Sequence, residues 1–430
     1  MKHTRTALII ILSVVLLVAL TLTLCGCEES RIFNDSVEIK EGDYEGKTFP
    51  FIHIEVSDEI TKEEYAECNI SLDNTEEEYV LSEVTAKIKG RGNSTWGMPK
   101  KPYKIKFSDK VDLLGNGAAK SWVLLANYCD KSLSRGFMAS EVGRAIGLTE
   151  TTTTQPVNVM LNGVYQGVYL LCEQVEIGKT RLNIKSDLEE VDTGYLVELD
   201  ARAPEEGEEG VDYFYVAGIP YGLKDPDRGE SDFTQEHFDH IKNCVTAGYE
   251  AITGDDYEQV LSLIDVESFA KCYLVHELFG CVDVGFSSFY IYKKGGGKLY
   301  AGPLWDFDIS SGNCDYVETC NRTDYLYAKE SNPWYRNLLR FEQFRALVAE
   351  ELAASKETIE ATIQKVYDYQ LTYKENNETN FAAWEILDKY VWPNPPELVE
   401  IETFEGQLDY LKDWVSAKLL YMTEAYALPD

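Results

Sequence analysis

Hydrophobic and polar positions alternate with period two over residues 49–57, 79–91 and 102–107, the pattern of strands with one buried face. Residues 122–126 form a short apolar run of the buried-strand type. Between 132 and 146 the period lengthens. Leu133, Phe137, Met138, Val142, Ala145 and Ile146 then share one helical face, and Gly147 follows as a stop. The runs 157–161 and 164–171 flank Asn162-Gly163, the strongest short hairpin signal. Strands are also expected at 195–199 and 213–216, separated by the acidic stretch Pro204-Glu-Glu-Gly-Glu-Glu-Gly210. Helical patterns cover 234–253, 256–264 and 266–280. A second hairpin, 288–292 with 299–300, turns on Gly295-Gly-Gly297. Beyond residue 333 the pattern is helical, with a break at Trp392-Pro-Asn-Pro-Pro396, and Trp334, Trp384, Trp392 and Trp414 are expected to pack onto the body. This order predicts an α+β chain: an antiparallel, sheet-rich N-terminal part, a mixed or helical lobe, and a helical C-terminal region.

The first residues carry a different pattern. Lys2 and Arg5 precede an apolar stretch, 7–24, interrupted only by Ser13, Thr21 and Thr23. A basic start followed by an apolar segment predicts a secretory signal. Leu24-Cys25-Gly26-Cys27 resembles the bacterial lipobox, which implies cleavage before Cys27 and lipid on its sulfur. The remainder would then sit at the outer face of the cytoplasmic membrane. An uncleaved transmembrane anchor would leave it on the same side. Residues 28–48 read as a polar tether.

The 430 residues include 74 Asp and Glu against 40 Lys and Arg, a net charge of −34. That balance argues against a nucleic-acid partner, which needs clustered basic residues, and suits an exported protein kept soluble, here expected as a monomer. Eight cysteines follow Cys27 and none form a CxxC pair, so a structural zinc site is not expected. Cys314 and Cys320 bracket a loop that a disulfide could close, while Cys129, Cys172 and Cys272 lie in apolar runs.

Several familiar motifs fail. Gly115-Asn-Gly-Ala-Ala-Lys120 lacks the second glycine of a phosphate loop, and His276-Glu277 has no second histidine at zincin spacing. His237 and His240 share a helix face without a third ligand and are expected at the surface. A dispersed set remains. Arg91-Gly-Asn-Ser-Thr-Trp96 is a compact turn between two strands whose backbone N–H groups could face an anion. On the strand that follows, Lys104 and Lys106 point away from Tyr103, Ile105 and Phe107. Asp283 lies just past a helix end. Asp306 and Asp308 lie just past a strand, where alternation lets both face one site that suits a hard cation.

Residues of roughly 50–330 resemble the CotH-type kinases. The resemblance rests on Arg91-Gly-Asn-Ser-Thr-Trp96 with Pro99-Lys-Lys-Pro-Tyr-Lys-Ile-Lys-Phe107, and on Trp122-Val-Leu-Leu-Ala-Asn-Tyr-Cys-Asp-Lys-Ser-Leu-Ser-Arg135. It continues through Val157-Asn-Val-Met-Leu-Asn-Gly-Val-Tyr-Gln-Gly-Val-Tyr-Leu-Leu-Cys-Glu-Gln174 and Gly302-Pro-Leu-Trp-Asp-Phe-Asp308. It implies an atypical protein-kinase-like domain over 49–330, with helices 331–430 packed on it. It also implies transfer of the ATP γ-phosphoryl group, with Mg2+ or Mn2+, to Ser/Thr of surface or secreted proteins. In that layout Arg91, Gly92, Asn93 and Ser94 would cover the phosphates. Lys106 would bind them, with Lys104 as its understudy and Glu141 as its ion-pair partner. Glu173 and Gln174 would lie at the adenine hinge, Asp283 would accept the substrate's proton, and Asp306 and Asp308 would hold the metal. Ser288 stands five residues past Asp283, where protein kinases place a metal-binding Asn. The alternative is an inactive kinase-fold surface lipoprotein that binds a partner.

Overall fold

The structure is a computed structural model that describes residues 32–226 and 228–427. The expected signal segment and Cys27 lie outside the described residues. Seven strands form a closed barrel: β1 (Phe51–Val56), β2 (Ala66–Asp73), β3 (Leu81–Gly90), β4 (Tyr103–Asp112), β5 (Ala118–Leu125), β6 (Thr154–Leu161) and β7 (Val164–Glu173). Their order is β1-β2-β3-β4-β5-β7-β6, and parallel pairing of β1 with β6 closes the ring from Phe51 opposite Asn158 to Ile54 opposite Leu161. Closure leaves no unpaired sheet edge. Alternation sorts the side chains: Cys68, Ile70, Ile88, Ile105, Phe107, Trp122 and Leu124 fill the interior. Ile105 sits opposite both Ile88 and Trp122. The β6–β7 turn carries Asn162 and Gly163 at φ 48° and 77°, the left-handed pair that such a hairpin requires.

The second half holds a five-stranded sheet of order β12-β11-β8-β10-β9. Its strands are β8 (Tyr195–Leu199), β9 (Tyr213–Val216), β10 (Ile219–Asp225), β11 (Phe289–Lys293) and β12 (Leu299–Ala301). Its helical partners are α1 (Arg135–Ala145), α2 (Gln235–Thr253), α3 (Tyr257–Leu263), α4 (Val266–Phe279), α5 (Glu342–Thr372), α6 (Lys374–Ala383) and α7 (Phe404–Ala425). Helix α4 is buried nearly all round, from Phe269 to Phe279. One hydrophobic core joins it to α1, to Trp334 and Tyr335, and to Phe344, Val348, Leu411 and Val415 of the C-terminal helices. Each such side chain contributes about 1.5–3 kcal/mol of burial.

The chain is thus α+β, sheet-rich in its N-terminal half and helical towards the C-terminus. Strands β2 and β10 were not expected. The stretch read as a tether is packed from residue 32 onward, because it carries apolar anchors: Phe33 stacks on Trp384 at 4.3 Å and Ile39 is buried. Trp334, Trp384 and Trp414 are buried, whereas Trp392 is exposed and stacks on Tyr316. His237 is buried rather than at the surface, where it closes a capping box with Thr234. Cys314 and Cys320 are free thiols, both buried. No helix among the described residues is long and apolar enough to cross a membrane.

Candidate active site

A cavity of about 960 Å³ is walled by the barrel, α1 and the second sheet. Helix α4 delivers the first functional group. It begins on Asp265, whose carboxylate accepts from Ser268 N at 3.0 Å, and ends at Gly280 with φ 56°. This left-handed residue turns the chain into the short 3-10 turn Val282–Gly285, which presents Asp283 to the cavity. The β11–β12 hairpin then returns the chain to Asp306, on the same wall. Ser288 and Asp306 both hold left-handed backbone, at φ 61° and 68°, and the Ser288 hydroxyl donates to Asp306 Oδ2 at 3.0 Å. Such conformations cost about 1–3 kcal/mol each and persist only where the surroundings fix them. Here Ser288 N is held by Glu198 Oε1 at 2.8 Å.

Charge is concentrated on this wall. Burial, and then the Asp306 carboxylate, push Asp283 up to about 6 against a restraining Arg202. Burial raises Asp308 as well, reinforced by Asp306, Asp283 and Asp130. The loop behind these acids is anchored from α1. Asp130, fully buried, accepts from Ser132 N, Ser134 N and Arg135 N at 3.1, 3.0 and 2.8 Å, which caps the helix. Its partner Arg135, at 2.5 Å, also donates to the carbonyls of Ser310 and Ser311 at 2.9 and 3.3 Å. Phe307 stacks on His276 at 5.4 Å. Burial drives that imidazole down to about 3, so it stays neutral and serves as packing. Leu304 lies so close to α1 that a Cβ on Gly143 would come within 2.4 Å of its Cδ1, so any larger residue there would displace Leu304.

The turn at 91–97 covers the cavity from the barrel side. Gly92 has φ 82°, and a Cβ there would meet Thr95 Oγ1 at 2.1 Å. Asn93 Oδ1 accepts from Lys62 Nζ at 2.9 Å, and the Arg91 guanidinium lies 5.4 Å over the Trp305 ring. Facing them, Lys224 bridges Glu198 at 2.8 Å and Asp200 at 3.3 Å. Burial works against its charge, but the two carboxylates hold its pKa above the usual lysine value.

A family model described as CotH kinase protein matches residues 88–422, a span that includes the turn at 91–97 and all the carboxylates of the wall. The chain belongs to the CotH kinase family. No curated protein matches it.

Of the roles that CotH likeness implied, the structure brings Arg91, Gly92, Asn93, Ser94, Asp283, Ser288, Asp306 and Asp308 to one cavity. Five residues fall elsewhere. Lys106 is exposed on the outside of the barrel, opposite Lys87, and Lys104 sits half-buried opposite Lys89. Neither lines the cavity: they share the barrel's outer face with Leu125, Leu170 and Cys172, which do line it, but stand opposite Val123 and Ser121, short of Leu125. Glu141 does not meet Lys106; it pairs with Lys365 of α5 at 3.3 Å. Glu173 is buried against Arg181, whose guanidinium stacks on Trp122 at 4.5 Å, and accepts from Thr153 N at 2.7 Å. The Glu173 side chain thus braces the barrel. Gln174 Nε2 donates to Val175 O at 3.4 Å.

Glu198, Asp200, Arg202 and Lys224 were missed. A signal existed: Glu198 and Asp200 stand at alternate positions of the otherwise apolar run Tyr195–Leu199 and its continuation. A charge inside a buried strand needs a partner.

Proposed function

We propose that this CotH-family chain is an exported, membrane-tethered phosphotransferase that moves the γ-phosphoryl group of ATP to Ser/Thr hydroxyls of surface or secreted proteins. The observation that carries the reading is the meeting of Asp283 and Asp306 on one wall, reached through helix, turn, hairpin and turn, opposite the Arg91–Ser94 segment. Phosphoryl transfer asks mainly for positioning and charge neutralisation, and the residues divide along those lines. Asp283, with its affinity for protons raised to about 6, is suited to accept the proton of an acceptor hydroxyl near neutral pH. Ser288 orients the Asp306 carboxylate, and the Asp130–Arg135 pair fixes the loop behind Asp308. Lys224, positioned by Glu198, and Arg91 supply positive charge.

The donor set fits a hard divalent cation: carboxylates of Asp306 and Asp308, crowded enough that Asp308 holds its proton more tightly than usual. Among the described residues no three such groups form a preformed metal cluster. That suits Mg2+ or Mn2+ taken with one or two carboxylates, the remaining positions coming from water and phosphate oxygens. Such an ion would supply neutralisation of phosphate charge. The reading is tested by incorporation of labelled γ-phosphate into the chain itself and into a casein-type acceptor, wild type against Asp306→Ala. Loss in the variant supports it. Equal incorporation by both overturns it and leaves the inactive binding module.

A further inference from the structure

The loop beyond Asp308 carries two cysteines that face each other. Residues 315–319 are exposed or half-buried, while Cys314 and Cys320 turn inward, each 1% exposed. They pack with Val282 and Ile309 in one small apolar cluster, and their thiols are hydrogen-bonded to each other. The backbone already brings the two ends together: Asn321 Nδ2 donates to the Cys314 carbonyl, and Cys320 N and Sγ donate to Val317 O at 3.3 and 2.9 Å. The hydrogen bond from the Cys320 thiol lowers Cys314 below the ordinary thiol value against burial, helped by the Tyr316 and Val317 N–H groups. That favours the thiolate on which exchange depends. The same loop leans on the turn that presents Asp283. A Cβ on Gly280 would come within 2.8 Å of Cys320 O, Val282 belongs to the cysteine cluster, and Trp414 Nε1 donates to Asn321 O at 2.9 Å.

We infer that Cys314 and Cys320 are a modification site: they close as a disulfide on meeting an external disulfide, and the bridge braces the Asp283 turn. Cys314, having lost its proton, attacks the external disulfide, which leaves a mixed disulfide and one released thiol. Cys320 then gives up its proton, attacks Cys314 Sγ and releases the second thiol. The pair thus loses two electrons and two protons, and the external disulfide becomes two thiols. The inference goes beyond the phosphotransferase reading and holds whether or not the cavity transfers phosphate. Export would supply such an oxidant.

The test equilibrates the full chain, wild type and Cys314→Ser/Cys320→Ser, with an excess of oxidised or of reduced glutathione, then alkylates in denaturant and digests with trypsin. Leu299–Arg322 contains both cysteines and no internal cleavage site, so mass spectrometry reads the bridge as one peptide lacking two hydrogens and both alkyl groups. The expected result is that peptide in oxidised wild type, with Cys281, whose Sγ donates to Asp306 O at 3.5 Å, still alkylated. Oxidation should raise the melting temperature of wild type by about 2–3 °C, the chain-entropy effect of so short a loop on a chain of this size, and leave the double variant unchanged. Amide hydrogen exchange over residues 281–285 should slow in oxidised wild type only. Alkylation of both cysteines after oxidation, or a bridge to Cys281, overturns the site. A bridge that leaves exchange over 281–285 unchanged overturns the brace, as does an equal melting shift in the double variant.

Discussion

Asp283→Asn should make the protein more stable at neutral pH, although it removes the group assigned the proton. The folded environment raises Asp283 from an ordinary 3.8 to about 6, chiefly through burial and then through the Asp306 charge. Below pH 3.8 the carboxyl is protonated both folded and unfolded, and the shift has no effect on stability. As pH climbs through 6 the unfolded chain has already ionised, while the folded chain must ionise a buried group beside another carboxylate. Stability is therefore lost across that window. Two pKa units correspond to about 3 kcal/mol at 1.36 kcal/mol per unit. Asparagine keeps the shape of the protonated acid and carries no such cost.

With an unfolding entropy of about 2 cal/mol/K per residue, a chain of this size turns 3 kcal/mol into a melting shift of roughly 3–4 °C. Differential scanning calorimetry of both proteins from pH 4 to pH 8, in chelator, gives the comparison. The melting temperatures should coincide near pH 4, draw apart between about pH 4 and 6, and stay apart above that, with the variant higher. Added Mg2+ should raise wild type more than the variant, because the cation relieves the repulsion the variant has already lost. A variant that melts lower than wild type by the same margin at every pH would show that Asp283 is held by favourable contacts instead, and would sink the argument.

Arg135→Lys keeps a charge against Asp130 but cannot also hold the Ser310 and Ser311 carbonyls. It should cost about 3 kcal/mol or more in denaturant unfolding and reduce phosphoryl transfer even at a temperature where circular dichroism shows a folded chain; unchanged transfer there would free the loop from α1. Lys106→Ala and Glu141→Gln should each leave stability within about 1 kcal/mol and the rate of γ-phosphate incorporation near wild type, whereas Lys224→Met should lower it about 100-fold or more. The reverse pattern would return the phosphate role to β4.

Much of the fold was legible because period-two and helical patterns are local. The Asn162-Gly163 hairpin, α1, α4 and the β11–β12 hairpin fall within a few residues of their expected limits. Closure of the barrel was not legible, since pairing of β1 with β6 joins residues about a hundred positions apart and leaves no local mark. The same limit governed the site. Asp283, Asp306 and the turn at 91–97 sit at element ends, where a functional side chain is conspicuous. The lysines of β4 were visible as one face of a strand, but how much of the barrel's outer face the cavity covers depends on how the barrel is seated. Of the stretch 100–106 only Lys100 lines the cavity among its lysines, and its ammonium is spent on Val168 O and Asn380 Oδ1 at 2.6 and 2.9 Å.

That misplacement changes the electrostatic account of the site. A basic strand would have drawn a polyphosphate in by itself, against a net charge of −34. The cavity instead presents Glu63, Glu198, Asp200, Glu205, Glu206, Asp283, Asp306 and Asp308, and Lys224 is already shared between two of them. Arg91 and Arg202 remain as the cationic groups on the wall facing that charge, with Lys62 at the rim tied to Asn93. Two guanidinium groups do not balance these carboxylates and the charge of a nucleoside triphosphate. On the proposed phosphotransferase reading, attraction would come from divalent cations that enter with the nucleotide, and the acidic wall would favour the metal complex over the bare polyphosphate. On that reading the acidity of the cavity would couple nucleotide entry to the ion the transfer needs.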